Sequence, residues 1–72
     1  MNGKLRRQTQ LIIRRGTEYL VGTIVYSKEL RWSRSPYDAW GTRNREAAEA
    51  VAGKVGGTLC LWNPVVNQLR EL

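Results

Sequence analysis

The sequence predicts an α+β fold, in which an antiparallel sheet of about four strands packs against one helix. Three observations support this class. Runs rich in β-branched residues around positions 12 and 23 are typical of strands, an alanine-rich run from 45 to 55 is typical of a helix, and 72 residues make room for a single domain. The expected order is β-β-β-α-β in one domain, 1–72, with an ordered core over about residues 8–66 and short flexible ends.

The first two strands are expected to form a hairpin. Residues 8–15 have a β-branched centre with partial alternation, and residues 18–27 are rich in strand-forming side chains. Gly16 lies between them and can adopt the backbone angles that a tight turn requires. Residues 30–34 alternate again, so they either prolong the second strand or begin a third.

A turn is predicted at residues 35–38, because Pro36 fixes one backbone angle and the flanking serine and aspartate favour local hydrogen bonds. Residues 39–42 are then expected to form a short strand that returns along the second strand. The last strand is predicted at residues 58–62, ending at Asn63 and Pro64.

The helix is the clearest element of the sequence. Asn44 or Thr42 can cap its N-terminus, and Gly56-Gly57 is expected to end it. Its alanines and valines fall on one face, which predicts packing against the sheet. Because one helix covers only one face of a sheet, the opposite face is expected to be solvated, to bind a partner or to form a homodimer. Leu20, Ile24 and Tyr26, or their alternates, would lie on that open face.

The composition points away from enzymes and toward binding. Cys60 is the single cysteine and histidine is absent, so the chain has no disulfide, no Cys-His metal set and no histidine-based catalytic pair. Asp38 and Glu46 occupy turn and helix-start positions, where carboxylates are structurally useful. No cofactor or metal is therefore expected. Cys60 is interpreted as a small core residue, and the lack of a long apolar run and of a signal peptide predicts a cytoplasmic protein.

The charge is strongly basic and uneven. Lys and Arg number 12 against 6 Asp and Glu, for a net charge of +6, and residues 1–45 carry ten of the cations with three of the acids. Most of the cations are arginine, which suits bidentate contact with phosphate. This pattern predicts a polyanionic partner, most simply nucleic acid, with solubility as the alternative explanation for the charge.

Arginines and aromatic rings alternate in the middle of the chain, where they could hold phosphates and stack bases. The candidate binding residues are Arg14, Arg15, Arg31, Trp32, Arg34, Tyr37, Arg43 and Arg45. The alternative for the tryptophans is that they fill the core beside the alanine-rich helix. That alternative is favoured for Trp40 and Trp62 and stays open for Trp32.

The arginines can be ranked by their expected positions. Arg31, Arg34 and Arg43 are expected to meet near one end of the sheet. Arg45 would oppose the helix dipole at the helix N-terminus, a cost that a bound phosphate would relieve. Arg70 falls in a C-terminal segment expected to fray, where substitution should have little effect.

The run from Trp32 to Trp40, the alanine-rich helix, Val55-Gly56-Gly57 and Asn63-Pro64-Val65 resemble short accessory proteins of phages and mobile elements, over about residues 10–66. The resemblance implies a phage accessory role, including interference with host defences inside the host cell, and it brings no active site with it.

Two functions follow from the sequence. The leading hypothesis is a non-enzymatic binding module that contacts nucleic acid or a nucleoprotein through its arginine-rich strands. The alternative is a protein-directed inhibitor of a host defence enzyme, such as a CRISPR–Cas or restriction effector.

Overall fold

The computed structural model describes residues 9–23 and 29–72 of the chain. These residues form β1 (Gln10–Arg15), β2 (Glu18–Thr23), β3 (Leu30–Ser33), a 3-10 helix (Pro36–Asp38), β4 (Gly41–Thr42), α1 (Arg45–Val55), β5 (Thr58–Asn63) and β6 (Gln68–Glu71). The α+β class and the antiparallel sheet with one helix are confirmed for this part of the chain. The prediction of about four strands understates the sheet, which has six in the described ranges.

Strand β1 is paired along both edges. The strand order is β3-β2-β1-β5-β6, and β4 also pairs with β1. Strand β5 runs along one edge of β1, from Gln10 opposite Trp62 to Arg14 opposite Thr58. The other edge is shared, because the end of β1 nearest Arg15 pairs with β2, whereas Leu11 and Ile12 pair with β4.

Strand β4 does not lie where the sequence analysis placed it, because it pairs with β1. Residues 39–42 were predicted to return along the second strand, but only the Trp40 N–H meets it, donating to the Leu20 carbonyl oxygen at 2.8 Å. The chain then joins β1. Beyond Leu20, β2 has a register irregularity that includes Gly22, and β4 supplies the backbone partners that Leu11 and Ile12 require.

The helix has the predicted ends. The Asn44 side-chain oxygen accepts a hydrogen bond from the Ala47 N–H at 3.2 Å, as an N-cap does. Gly56 ends the helix in the left-handed conformation, with φ of 70°, and its N–H donates to the Ala52 carbonyl. Ala48 and Ala52 are buried, so the predicted apolar face is the one that packs on the sheet.

Each face of the sheet carries a hydrophobic cluster. On the helix side, Ile13, Leu20 and Ala52 are buried, and both Trp32 and Trp40 pack against them. On the opposite side, the cluster consists of Ile12, Cys60 and Trp62, with Tyr19, Ala39 and Leu69 packed around it. Short alanine side chains leave room for the tryptophan rings on the helix side, as the composition indicated.

Leu20 therefore does not lie on an open face, although the sequence left both its own set and the alternate set open for that position. Leu20 is only 3% exposed and faces the helix, and on the opposite side Ile12 and Cys60 have no exposed surface. The chain passing from the 3-10 helix to β4 contributes Ala39 to that opposite cluster. Ile24 and Tyr26 lie outside the described residues. The homodimer stays a prediction, but Leu20 cannot belong to its interface.

Strand β6 was not predicted and lies beyond residue 66. It pairs with β5, with Leu69 opposite Trp62 and Arg70 opposite Leu61. Its alternating side chains place Leu69 in the Trp62 cluster. Asn67 closes the preceding turn with φ of 53°, a conformation that asparagine tolerates better than most residues. Arg70 thus belongs to the sheet and not to a frayed end.

Candidate functional site

Two of the predicted binding arginines have carboxylate partners within the chain. Arg14 Nη2 lies 2.8 Å from Glu71 Oε2, and Arg45 Nε lies 3.3 Å from Glu49 Oε2, one helical turn further on. Both pairs are accessible to solvent, so each contributes little to stability. They do, however, neutralise two of the charges on which the sequence-based prediction of a polyanion partner rests.

Arg15 is held by an aromatic ring and by the end of the helix. Its guanidinium carbon lies 4.0 Å from the centroid of the Trp32 ring. Its Nη1 donates to the Val55 carbonyl oxygen at 3.4 Å, in the last turn of α1. A cation is favoured at a helix C-terminus, where carbonyl groups lack internal partners. Arg15 therefore connects the β1–β2 turn to the C-terminal end of the helix through this hydrogen bond.

The aromatic residues do not form a common stacking surface. Trp32 is half-buried against the helix-side cluster and lies under Arg15, whereas Trp62 is buried on the opposite side. Tyr37 packs edge-on against Trp62, with ring centroids 5.0 Å apart. Trp62 is buried, but on the face opposite the helix beside which it was expected. Trp40 packs against the helix-side cluster and is only partly buried. Tyr37 remains 60% exposed, but it is on the far side of the sheet from Trp32.

Four arginines are exposed and have no carboxylate partner among residues 9–23 and 29–72. They are Arg31, Arg34, Arg43 and Arg70. The first three were predicted to be the main binding residues, and the fourth was expected to contribute little. These four arginines are therefore available to an external anion without first breaking an ion pair with a described carboxylate.

The strand register separates these four arginines into different regions. Arg34 directly follows Ser33, which lies opposite Tyr19 near the β1–β2 turn. Arg43 directly follows Thr42, which lies opposite Leu11 at the other end of β1. Arg31 lies opposite Gly22 on the outer strand β3. The sequence analysis expected these three arginines to meet near one end of the sheet, and they do not.

Arg43 and Arg70, together with Arg45, line a groove that the helix leaves uncovered. The groove consists of two adjoining cavities of about 400 and 180 Å³, which share Thr9 and Leu61. We call it the basic groove and define it by Thr9, Leu11, Leu61, Arg43, Arg45 and Arg70. Among the described residues, no Asp or Glu side chain lines either cavity.

Strand pairing builds the floor of the basic groove. Leu61 lies opposite both Leu11 and Arg70, so the three side chains form one row across β1, β5 and β6. The helix packs over the neighbouring row, which contains Ile13 opposite Leu59. An 11-residue helix is only about 16 Å long, so the Leu11 row is left beside the start of the helix rather than under it.

The groove also has a polar wall whose hydrogen bonds are made within the protein. Asn63 is 8% exposed; its side-chain oxygen accepts from the Val65 N–H at 3.0 Å, and its amide donates to Thr9 Oγ1 at 3.5 Å. These contacts fix the start of the β5–β6 turn. They hold Arg70 in register with Leu61, and thereby shape the wall of the groove.

Sequence reasoning missed the contribution of Arg70 because it stopped at Pro64. The signal was present in two features: the alternation of residues 68–71, and an asparagine before them that can adopt positive φ. A four-residue loop between two alternating segments is a hairpin pattern.

Two further chemistry-bearing side chains, Cys60 and Asp38, have contacts that belong to the fold. Burial raises the pKa of the Cys60 thiol, an effect that Arg14 opposes and Glu71 reinforces, so the reactive thiolate is disfavoured. Asp38 Oδ2 accepts a hydrogen bond from Ser33 Oγ at 2.9 Å, which closes the turn after β3. In the described ranges, His, Cys, Asp and Glu nowhere cluster in a group of three or more that could hold a metal ion.

No protein-family model, curated protein or solved structure matches this chain. The helix described here is also too short and too polar to cross a membrane.

Proposed function

We propose that this protein is a non-enzymatic module that binds nucleic acid or a nucleoprotein in the cytoplasm of a host cell. The observation that carries the proposal is that four exposed arginines have no carboxylate partner among residues 9–23 and 29–72; they are Arg31, Arg34, Arg43 and Arg70. The proposal needs no cofactor and no chemical step.

The distribution of acids supports an anionic partner. Glu49 and Glu71 are each engaged with one arginine, and Asp38 is engaged in a turn. In the described part of the chain, the two ion pairs therefore involve Arg14 and Arg45 and none of the four arginines named above. Guanidinium groups bind phosphate oxygens through paired hydrogen bonds, and a polyanion would engage several of them at once.

Fluorescence polarisation with labelled DNA and RNA tests the proposal. Binding should be measurable at low salt and should weaken as salt is added, because each neutralised phosphate releases counterions. With three to four arginine contacts to a single strand, affinity should fall by about 20- to 50-fold between 50 and 200 mM salt. An absence of binding to any nucleic acid at low salt would refute the proposal.

A pulldown from host lysate, before and after nuclease treatment, tests for the protein-directed alternative. A partner that is released by nuclease supports binding to nucleic acid or a nucleoprotein. A partner that stays bound after nuclease, with no binding to purified nucleic acid, would instead identify a protein-directed inhibitor.

A further inference from the structure

We infer that the basic groove is a binding site for single-stranded nucleic acid, with phosphates at Arg43 and Arg70 and a nucleotide unit on the leucine floor between them. The inference rests on the proposed function and assigns it to one surface. The starting observation is that three arginines line the groove although they come from different elements. Arg43 follows β4, Arg45 begins α1, and Arg70 belongs to β6.

The charge of the groove fits a phosphodiester chain. Arg43 and Arg70 have no carboxylate partner in the described part of the chain and lie in adjoining cavities with a shared wall. No Asp or Glu side chain of residues 9–23 and 29–72 lines the cavities, so an anion entering them meets no acidic side chain from that part of the protein. Two separate cations along one groove match the repeated charge of a polynucleotide better than a single small anion.

The floor of the groove favours a single strand over a duplex. The larger cavity, of about 400 Å³, has an apolar lining made of half-buried Leu61, of Leu72, which is 51% exposed, and of the 8% of Leu11 that is exposed. Its volume is in the range of small-ligand sites. A sugar or base of a single strand can reach that lining. In a duplex the bases are stacked inside the helix, so only the phosphates would reach the arginines.

Arg45 is a third arginine at the edge of the same groove, and its charge is shared with a carboxylate of the protein. It lines the larger cavity, but its Nε is paired with Glu49 at 3.3 Å. A phosphate in the groove competes with that carboxylate for Arg45. Removing the carboxylate should therefore strengthen binding of a single strand.

The test compares two double variants that lose the same charge. Polarisation assays use single-stranded DNA, single-stranded RNA and duplex DNA of about 10 nucleotides, which is within the usual site size of single-strand binders. Arg43→Ala with Arg70→Ala should weaken single-strand binding at least about tenfold and lower the salt slope by about 1.4. Arg31→Ala with Arg34→Ala, which removes the same charge outside the groove, should weaken single-strand binding clearly less than the groove pair does.

A second matched pair controls for net charge and for folding. Glu49→Gln and Glu71→Gln each remove one acid and release one arginine, but only Arg45, freed by the first, lines the groove. Glu49→Gln should raise single-strand affinity more than Glu71→Gln does. Unfolding midpoints measured for all four variants identify any loss of binding that comes from loss of structure.

The outcomes separate the inference from the proposed function. If the unaltered protein binds no nucleic acid at low salt, the proposed function fails. If it binds, but the Arg31 and Arg34 pair matters as much as the groove pair, or duplex binds as tightly as single strands, the groove assignment fails while the function stands. Equal effects of the two glutamine variants would also overturn the assignment. The DNA and RNA arms decide which single strand the groove prefers.

Discussion

Arg15 shows how a single residue identified as a ligand-binding candidate can be occupied by the fold itself. It covers the Trp32 ring and reaches the Val55 carbonyl at the helix end. Arg15→Ala should therefore lower the free energy of unfolding by about 1 kcal/mol, the usual size of a cation–π contact plus a helix-end interaction.

Urea titrations monitored by tryptophan fluorescence would measure this change. Arg15→Lys should recover part of it, because an ammonium keeps the charge but lacks the flat guanidinium face. Arg34→Ala is the matched control, since Arg34 is exposed and its guanidinium covers no aromatic ring in the described part of the chain; its effect should stay within about 0.5 kcal/mol.

Cys60 should make stability depend on pH in the alkaline range. Burial raises the pKa of its thiol in the folded protein, so the unfolded chain loses this proton at a lower pH than the folded chain does. The folded state then binds more protons than the unfolded state, and stability falls as pH rises above about 8.5, the ordinary pKa of a thiol.

Measuring the free energy of unfolding from pH 7 to 10 would reveal this slope. Cys60→Ala should flatten it, at the cost of a lower stability at pH 7 from the small cavity that it leaves. A slope that is unchanged in Cys60→Ala would assign the pH dependence to other groups.

At the level of residues, the sequence predicts whether a residue caps a helix or is buried better than it predicts which distant residue it contacts. The capping role of Asn44 and the burial of Cys60 and Trp62 follow from local chemistry and hydrophobicity, and they are confirmed, whereas Trp40 is only partly buried. The pairing of Arg14 with Glu71 could not be predicted, because it depends on a strand register between distant segments. Pattern and propensity carry no information on such register.

Two glycines in and after the helix give a matched test of its C-terminus. Gly56 has φ of 70° and Gly53 lies inside the helix, and a Cβ atom at either position would meet nothing within 4 Å. Only the backbone therefore distinguishes them. Gly56→Ala should destabilise the protein by about 1 kcal/mol, and Gly53→Ala should stabilise it by about 0.5–1 kcal/mol.

Thermal or urea unfolding of the two variants would show this opposite sign. If both alanines shift stability in the same direction, the left-handed end of the helix at Gly56 is not the feature that sets its length.

Strand β6 contributes to the core and should be tested as an element. Leu69 lies opposite Trp62 and packs on its cluster. Leu69→Ala should lower the free energy of unfolding by about 1–2 kcal/mol through lost burial around Trp62.

The control is Val66→Ala in the neighbouring turn, where the side chain is 51% exposed, with an expected effect within about 0.5 kcal/mol. Equal, small effects of the two substitutions would mean that residues 68–71 do not stabilise the sheet.

At the level of elements, prediction succeeded where the signal was local. The helix, its two ends and strands β1 and β5 follow from periodicity, capping and β-branched content. The partner of β4 was missed, because a two-residue strand has almost no pattern of its own and its place depends on the edge that β2 leaves open. The basic groove was missed for the same reason, because the row of Leu11, Leu61 and Arg70 forms only through the register of β1, β5 and β6.

For the whole molecule, β1 should be the most stable part of the sheet. Both of its edges are paired, whereas β3 and β6 end the sheet. Native-state hydrogen exchange should find the slowest amides at Ile12 and Ile13, which have no exposed surface, and faster exchange in β3 and β6. Slowest exchange in β3 would contradict the central position of β1.

The pairing of β1 with β5 also has a consequence for synthesis of the protein. Gln10 pairs with Trp62 and Ile12 with Cys60. Strand β1, which is synthesised early, therefore cannot pair along this edge until β5 has been synthesised. A nascent chain that has not yet released residue 62 from the ribosome can form the β1–β2 hairpin and the helix, but it lacks the strand that completes the two clusters. Such nonlocal pairing slows folding and leaves apolar strands exposed meanwhile. During translation, therefore, β1 cannot gain its β5 partner, and the two clusters cannot be completed, before residues 58–63 emerge.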